Sequence, residues 1–304
     1  MGSPFHRGEL AVQEREGTVR EAERVGRSIG STFPRAASDF LRTQRMVVVA
    51  SRVPDSGRVW ASLLTGEPGF ASVRDEHSLQ VLAEPVREDP LHAVLREESD
   101  VGLLGIELAT RRRMKARGRT EPLPTGGFLL WPRSVYSLCP KYIQAREVQP
   151  PSEPSPEAVA EVVHSGTELT EAQREWLGRA DTFFIATHTE EGGADASHRG
   201  GNPGFVRVHD ARSFEFPDYA GNNMFNTLGN LALDARAGLL LIDFEGGGTL
   251  QLTGRAQATW APERLARHAG AKRVVDFHVE EVRESRGVTP LRWRFLEYSR
   301  FNPR

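Results

Sequence analysis

The amino-acid sequence predicts a mainly β protein with helices, built as a tandem duplication of one barrel-forming unit. Three observations carry this. Short apolar runs such as FFIAT, FVRVHD, SFEFP, GLLLIDF and TLQLTGRAQA are rich in Phe, Ile, Leu, Val and Thr and are separated by Gly, Asp and Asn turns, a spacing that favours a barrel over a βαβ sheet. The chain also repeats itself. FLRTQRMVVVASRVPDSGRVWASLLTGEPGF and WLGRADTFFIATHTEEGGADASHRGGNPGF share a helical lead, an apolar strand, a charged turn, an Ala-Ser pair (Ala61, Ser62; Ala196, Ser197) and a closing Pro-Gly-Phe. The match resumes where VGLLGIELATRRRMKARGR from Val101 faces AGLLLIDFEGGGTLQLTGR from Ala237 without a gap, so the halves are offset by roughly 135 residues. Third, EVQPPSEPSPEA between the halves is proline-rich and polar, the composition of a semi-rigid linker.

The elements follow in order. Residues 1–32 form an N-terminal helical segment, and 33–146 the first barrel, interrupted by a helix over DPLHAVLREES. Residues 147–166 are the linker. The second barrel, 167–304, is introduced by LTEAQREWLGRA, in which Thr170 and Gln173 have the spacing of a capping box. A helix over NNMFNTLGNLALDA interrupts this unit.

Composition narrows the class of function. A chain of 304 residues with 38% hydrophobic and 26% charged residues reads as globular, and no apolar run approaches the roughly 18 residues of a membrane span. The start, MGSPFHRGEL, lacks the apolar core of a signal peptide, and a lone Cys139 forms no internal disulfide, so the cytoplasm is the expected compartment. A net charge of -2 gives no global attraction to nucleic acid. The basic run RRRMKARGR, Arg111 to Arg119, has no aromatic cluster beside it for base stacking and is expected to be a solvated or ligand-facing strand edge. The nine histidines show no close metal-ligand spacing, and neither a GxSxG elbow nor a P-loop is present, so no metal is expected.

One stretch stands apart. DASHRGGNPGFVRV, Asp195 to Val208, places glycines, a proline, a histidine and an arginine inside strand-like sequence. Glycine and proline weaken strands, so such a cluster marks a bulge, a corner or a close approach of a ligand to the main chain.

The order FFIAT, DASHRGGNPGFVRV, SFEFPDYAGNN, helix, AGLLLIDF, TLQLTGRA resembles the FMN-binding split-barrel proteins related to pyridoxamine 5′-phosphate oxidase, and most of all their predicted flavin-nucleotide-binding branch in tandem-barrel form. PFHRGELAVQER and CPKYIQ (Cys139 to Gln144) extend the resemblance over nearly the whole chain. Members of that superfamily are homodimers with FMN between two barrels; the resemblance implies that here two split barrels are fused in one chain as an internal pseudo-dimer. The resemblance implies FMN as cofactor and Ser197, His198, Arg199 and Gly200 at its phosphate and ring, with Arg199 as a bidentate phosphate grip. It implies a second group in FPDYAGNN, comprising Phe216, Pro217, Asp218, Asn222 and Asn223 at a helix N-terminus, and it adds Thr249 at the head of TLQLTGRA. Pyridoxamine 5′-phosphate oxidases carry an Arg-Lys pair where this chain has Asn222 and Asn223, which leaves Arg199 and backbone amides to hold a phosphate. A plain helix cap is the other reading of the two asparagines.

The first half has Leu63, Leu64 and Thr65 in place of His198, Arg199 and Gly200, so one flavin per chain is expected, with the first half as the partner wall. From that wall Lys141 would reach the phosphate or the N1/C2 region and Tyr142 would cover the ring. Cys139 is expected to be a small buried hydrophobe. The function expected is flavin-dependent oxidation or reduction of a small molecule, with catalysis by the cofactor and no side chain standing out as general acid or base. The alternatives are a non-catalytic flavin- or haem-binding carrier or sensor and a deazaflavin-using reductase. A further homodimer stays open, and no nucleic-acid or membrane partner is expected.

Overall fold

The computed structural model describes residues 3–149 and 160–303, so the centre of the proline-rich linker lies outside the described residues. The chain begins with α1 (Arg7–Arg15), α2 (Val19–Gly26) and α3 (Arg35–Arg42). The first sheet contains β1 (Met46–Arg52), β2 (Val59–Thr65), β3 (Ala71–Asp75), β4 (Ser78–Val81), β5 (Ser99–Glu107), β6 (Arg112–Pro122) and β7 (Phe128–Leu138), in the order β2-β1-β5-β6-β7-β4-β3. After β8 (Ala145–Val148), β9 (Glu161–Gly166) and α4 (Glu171–Arg179), the second unit supplies β10 (Thr182–Thr189), β11 (Gly193–Gly200), β12 (Arg207–Val208), β13 (Ser213–Asp218), α5 (Asn226–Leu233), β14 (Arg236–Ile242), β15 (Thr249–Thr259), α6 (Pro262–Leu265) and β16 (Arg273–Arg286). Its order is β11-β10-β14-β15-β16-β13-β12, with β9 beside β16. Strand for strand, this is the order of the first sheet. No helix among the described residues is long and apolar enough to cross a membrane.

The correspondence reaches single residues. Arg113 faces Ile106 across β5 and β6 as Thr249 faces Ile242 across β14 and β15. The register breaks at Arg117/Gly118 in the first sheet and at Thr253/Gly254 in the second. A mainly β architecture of two barrel-like units is therefore the observed fold.

Period-two alternation explains why the units pack on each other. In β1, Val47 and Val49 enter the core of the first unit, whereas Met46, Val48 and Ala50 join a separate cluster between the units. In β10, Phe183 and Ile185 face the second core while Phe184 and Ala186 face the same inter-unit cluster. Both faces of these strands are buried, which is why they read as unbroken apolar runs. Gly102 and Gly238 sit at matching positions where the sheets touch. A Cβ on Gly102 would lie 2.6 Å from the Ala194 carbonyl oxygen, and one on Gly238 would lie 2.4 Å from that of Val59.

Two expectations change. DPLHAVLREES forms turns and a short 3₁₀ stretch, Val94–Arg96, instead of an α-helix, because Asp89 turns inward to accept from the Leu91 amide and bond Ser62. The flanks of the expected linker are strands: β8 pairs with β17 (Trp293–Glu297) and β9 with β16. The end of the chain thereby returns to the end of the first unit. The N-terminal segment also does more than precede the barrels. α1 packs on α5 so closely that a Cβ on Gly8 would lie 2.2 Å from the Gly229 carbonyl oxygen.

Candidate functional site

A cleft opens where β11 of the second unit packs across β5 and β6 of the first. Its wall includes Ser197, His198, Arg199 and Gly200 from β11, Pro217 and Asp218 from the end of β13, Asn222 and Asn223 from the following loop, and Lys141 and Tyr142 from the first unit's exit segment. Ten of the twelve residues expected at the site thus meet in one place. Arg113, Lys115, Tyr219 and Arg273 complete the polar wall, and Cys139, only half-buried, lies beside them.

Phe216 and Thr249 lie elsewhere, and both assignments are corrected. Phe216 alternates away from the cleft into the second core, where its ring meets Phe183 edge-on at 5.0 Å. Thr249 is on the wrong unit. The two-fold-like packing sets β15 against β2, so the strand that completes the cleft beside β11 is β6, and the residue there matching Thr249 is Arg113.

The basic run, expected only as a solvated or ligand-facing edge, supplies the site residues that sequence reasoning did not name. Alternation along β6 turns Arg113, Lys115 and Arg117 towards the second unit and leaves Arg112 exposed, and beyond the register break at Arg117/Gly118 Arg119 is exposed as well. The Lys115 ammonium, 3% exposed, donates to both carboxylate oxygens of Asp195 at 2.7 and 2.9 Å and to Ser197 Oγ at 2.5 Å. Burial outweighs the Asp195 charge and pulls its pKa down to about 8. Arg117 lies 3.8 Å from the fully buried Glu9 of α1. The signal that could have revealed this was the every-second-residue spacing of the cations within a strand.

Each expected residue has a definite environment. Arg199 is ion-paired with Asp218, which also accepts from Arg273 Nε at 2.8 Å, and Arg273 in turn reaches Glu16 at 2.6 Å. His198 is 7% exposed, and burial together with the nearby Arg113 and Arg199 guanidiniums holds it well below the usual imidazole range, so it is neutral. Gly200 serves packing between the units, since a Cβ there would stand 2.2 Å from the Tyr142 carbonyl oxygen. Gly204 supplies a turn at φ +88°, so the glycine cluster is partly a corner and partly a docking groove for the first unit.

Asn222 and Asn223 precede the helix instead of capping it. Asn222 Oδ1 accepts from the Met224 amide at 3.1 Å, Asn223 is left-handed at φ 62°, and α5 begins at Asn226 after Phe225, with no side-chain cap. The first-turn residues Asn226, Thr227 and Leu228 line the cleft, so the open helix end faces it. Tyr142 donates to the Ala220 carbonyl at 3.0 Å and packs against Tyr219 at 4.9 Å, which makes an aromatic edge to the opening. Gln144 fixes that segment by donating to the carbonyls of Tyr142 and Gly201, both at 3.1 Å.

On the other side of the molecule the matching residues bond one another without a cation. Gln251, the counterpart of Lys115, donates to the Ala61 carbonyl at 2.9 Å and to Asp89 at 2.8 Å, while Ser62, the counterpart of Ser197, donates to the same carboxyl at 2.5 Å. A candidate metal cluster of His209, Glu215 and Asp276 is occupied by the Arg264 guanidinium, which pairs with both carboxylates.

Two fused β-barrel units with a polar, cation-rich cleft between them define the class of this protein. Residues 169–292, within the second unit, match the family described as pyridoxamine 5′-phosphate oxidase. Among solved structures the chain is similar to HupZ of Group A Streptococcus, at 15% identity and TM-score 0.30, over 37% of this chain and 90% of that one. It is similar to an FMN-binding protein from Syntrophomonas wolfei at 9% identity and TM-score 0.29, over 37% of this chain and 84% of that one. A third likeness is to the FAD-binding protein from Mycobacterium smegmatis, at 14% identity and TM-score 0.28, over 40% of this chain and 99% of that one. No curated protein matches the sequence.

Proposed function

We propose that the cleft binds one flavin nucleotide, FMN, between the two units, and that the protein uses it for redox chemistry on a small molecule. The observation that carries the reading is a pair of buried nitrogens, His198 Nε2 and Arg199 Nε, that have no hydrogen-bond partner on the cleft wall. A buried polar group without a partner costs about 1–3 kcal/mol, so a ligand presenting acceptors stabilises the site. The open end of α5 adds backbone donors and partial positive charge. The match of residues 169–292 to the pyridoxamine 5′-phosphate oxidase family supports a phosphorylated flavin as that ligand.

The residues fit such a group in a particular way. His198 and the α5 terminus would hold the phosphate end, and Tyr142 and Tyr219 would shield one edge from water. Bound flavin supplies the electron transfer itself. The chain's own part is to orient it and to place Lys115 and Lys141 nearby. A cation within several ångströms favours the anionic, reduced form, and in a protected cleft it is only modestly screened.

Purified protein titrated with FMN and followed by visible absorption and flavin fluorescence tests the reading. Saturable quenching at one equivalent supports it. A Soret band on purification, or tight binding of deazaflavin without FMN, replaces it with the haem or deazaflavin reading. Turnover with an electron donor and acceptor separates an enzyme from a carrier that binds flavin and stops there.

A further inference from the structure

We infer that Arg113, supplied by the first unit, is the residue that selects the phosphate of the ligand, and that Arg199 is a positioning residue locked in a charge cluster of its own. The argument begins with counter-charges. Arg199 and Arg273 share Asp218, and Arg273 also has Glu16, so two guanidiniums face two carboxylates. Lys115 is matched by Asp195 and Arg117 by Glu9. Arg113 has no ion pair with a carboxylate among the described residues. Its Nε donates to the Cys139 carbonyl at 3.0 Å, its Nη2 approaches the Lys141 carbonyl at 3.5 Å, and its Nη1 lies 3.3 Å from His198 Nδ1.

An uncompensated guanidinium on a protected wall attracts an anion more than a paired one does, because the paired one must first surrender its partner. The contact with His198 strengthens the case. Arginine has no acceptor, so Nη1 donates and His198 Nδ1 accepts; the neutral imidazole then carries its proton on Nε2. That is the ring nitrogen without a partner, and it is thereby an N–H donor. Arg113 thus brings its own charge to the cleft and orients a second donor beside it. Two carbonyls from the first unit, those of Cys139 and Lys141, hold the guanidinium in place, so the unit that lacks its own ligand residues still supplies the anion grip of its partner.

The inference rests on the nucleotide reading of the cleft, but inorganic phosphate tests it independently. FMN, riboflavin and inorganic phosphate at fixed ionic strength are titrated into the full-length wild type and into Arg113→Gln, Arg113→Lys and Arg199→Gln. The expected result is that Arg113→Gln weakens FMN by about 30- to 300-fold, the scale for losing one partner of a protected charge contact. Riboflavin changes by less than about 3-fold, and the thermal stabilisation by phosphate disappears. Arg113→Lys, which keeps the charge, recovers part of the FMN preference and shows that folding is intact. Arg199→Gln weakens FMN and riboflavin together. An unchanged FMN-to-riboflavin ratio in Arg113→Gln, or a ratio that collapses only in Arg199→Gln, overturns the inference. Where wild type binds neither flavin, the flavin reading fails and phosphate decides: stabilisation lost in Arg113→Gln upholds the anion grip, while no stabilisation, or stabilisation equal in both proteins, overturns it.

Discussion

His198 shows how a single side chain reports its surroundings. In an unfolded chain its imidazole titrates near pH 6.5, whereas burial and two neighbouring guanidiniums hold it neutral to well below that in the fold. The depressed value means that its contribution to stability is complete above about pH 6.5 and is lost as pH falls towards the folded value. His188 and His268 are shifted in the same direction, so the wild type loses stability from several sites on acidification. Urea unfolding of wild type and His198→Gln at pH 7.5 and pH 5.5 separates them: the variant should lose less, by up to about 1.4 kcal/mol across the interval from about pH 6.5 to 5.5. Equal losses would mean that the imidazole is protonated or solvated at pH 5.5. Gly102 and Gly238 make the complementary point about space. Alanine at either places a Cβ against backbone of the other unit, which cannot rotate away, and should cost about 1–3 kcal/mol or more, read from the urea midpoint.

At the scale of the element, α4 offers two opposed changes, one near each end. Thr170 Oγ1 accepts from the Gln173 amide at 3.3 Å and Gln173 Oε1 accepts from the Thr170 amide at 3.0 Å, a reciprocal capping box. Thr170→Ala should lower stability by about 1 kcal/mol. Gly178, near the other end, has nothing within 4 Å of a built Cβ, so Gly178→Ala should raise stability by about 0.5–1 kcal/mol. Thermal melts of the two variants check both signs. This capping box was legible because it is local. The helix expected over DPLHAVLREES was not formed, because Asp89 is bound to Ser62 and Gln251, partners far away in sequence. Likewise the α5 terminus falls after Phe225 instead of at the asparagines, where the chain passes through two left-handed residues, Asn223 and Phe225.

For the whole molecule the decisive feature is that the two inter-unit positions are unlike: a charged Lys115 pairs with Asp195 beside the cleft, and a neutral Gln251 bonds Asp89 at the counterpart. Asp89, its carboxyl pKa pushed up by burial, occupies with Ser62 and Gln251 the place that Asp195, Ser197 and Lys115 hold on the other side. Isothermal titration of the full chain with FMN should therefore saturate at one equivalent; two equivalents of equal affinity would show that the counterpart position also takes a flavin. A second prediction concerns the wall donated by the first unit. Lys141 lines the cleft with no ion pair among the described residues, so Lys141→Ala should lower the reduction potential of bound flavin while leaving the melting temperature of the ligand-free protein within about 1–2 °C. A melting temperature that collapses with an unchanged potential would make the segment purely structural.

What the sequence by itself determined is what is written in local pattern. The two barrel-like units, the apolar strand runs, the capping box on α4 and the gathering of Ser197, His198, Arg199, Gly200, Pro217, Asp218, Asn222, Asn223, Lys141 and Tyr142 at one place were all legible from residue order and family likeness. Only the tertiary structure decided which strand of which unit finishes the cleft. A ligand wall made across an interface depends on how two sheets are rotated against each other, and that rotation is set by close contacts such as Gly102 on Ala194 and Gly238 on Val59. Residue spacing along one strand holds no record of it. Thr249 therefore read as a site residue while Arg113 read only as part of a solvated or ligand-facing edge, although the two occupy the same position in their sheets. Charge compensation was equally invisible: a sequence shows that Arg199 is a cation, but only the fold brings Asp218 to neutralise it and leaves Arg113 without a carboxylate partner among the described residues.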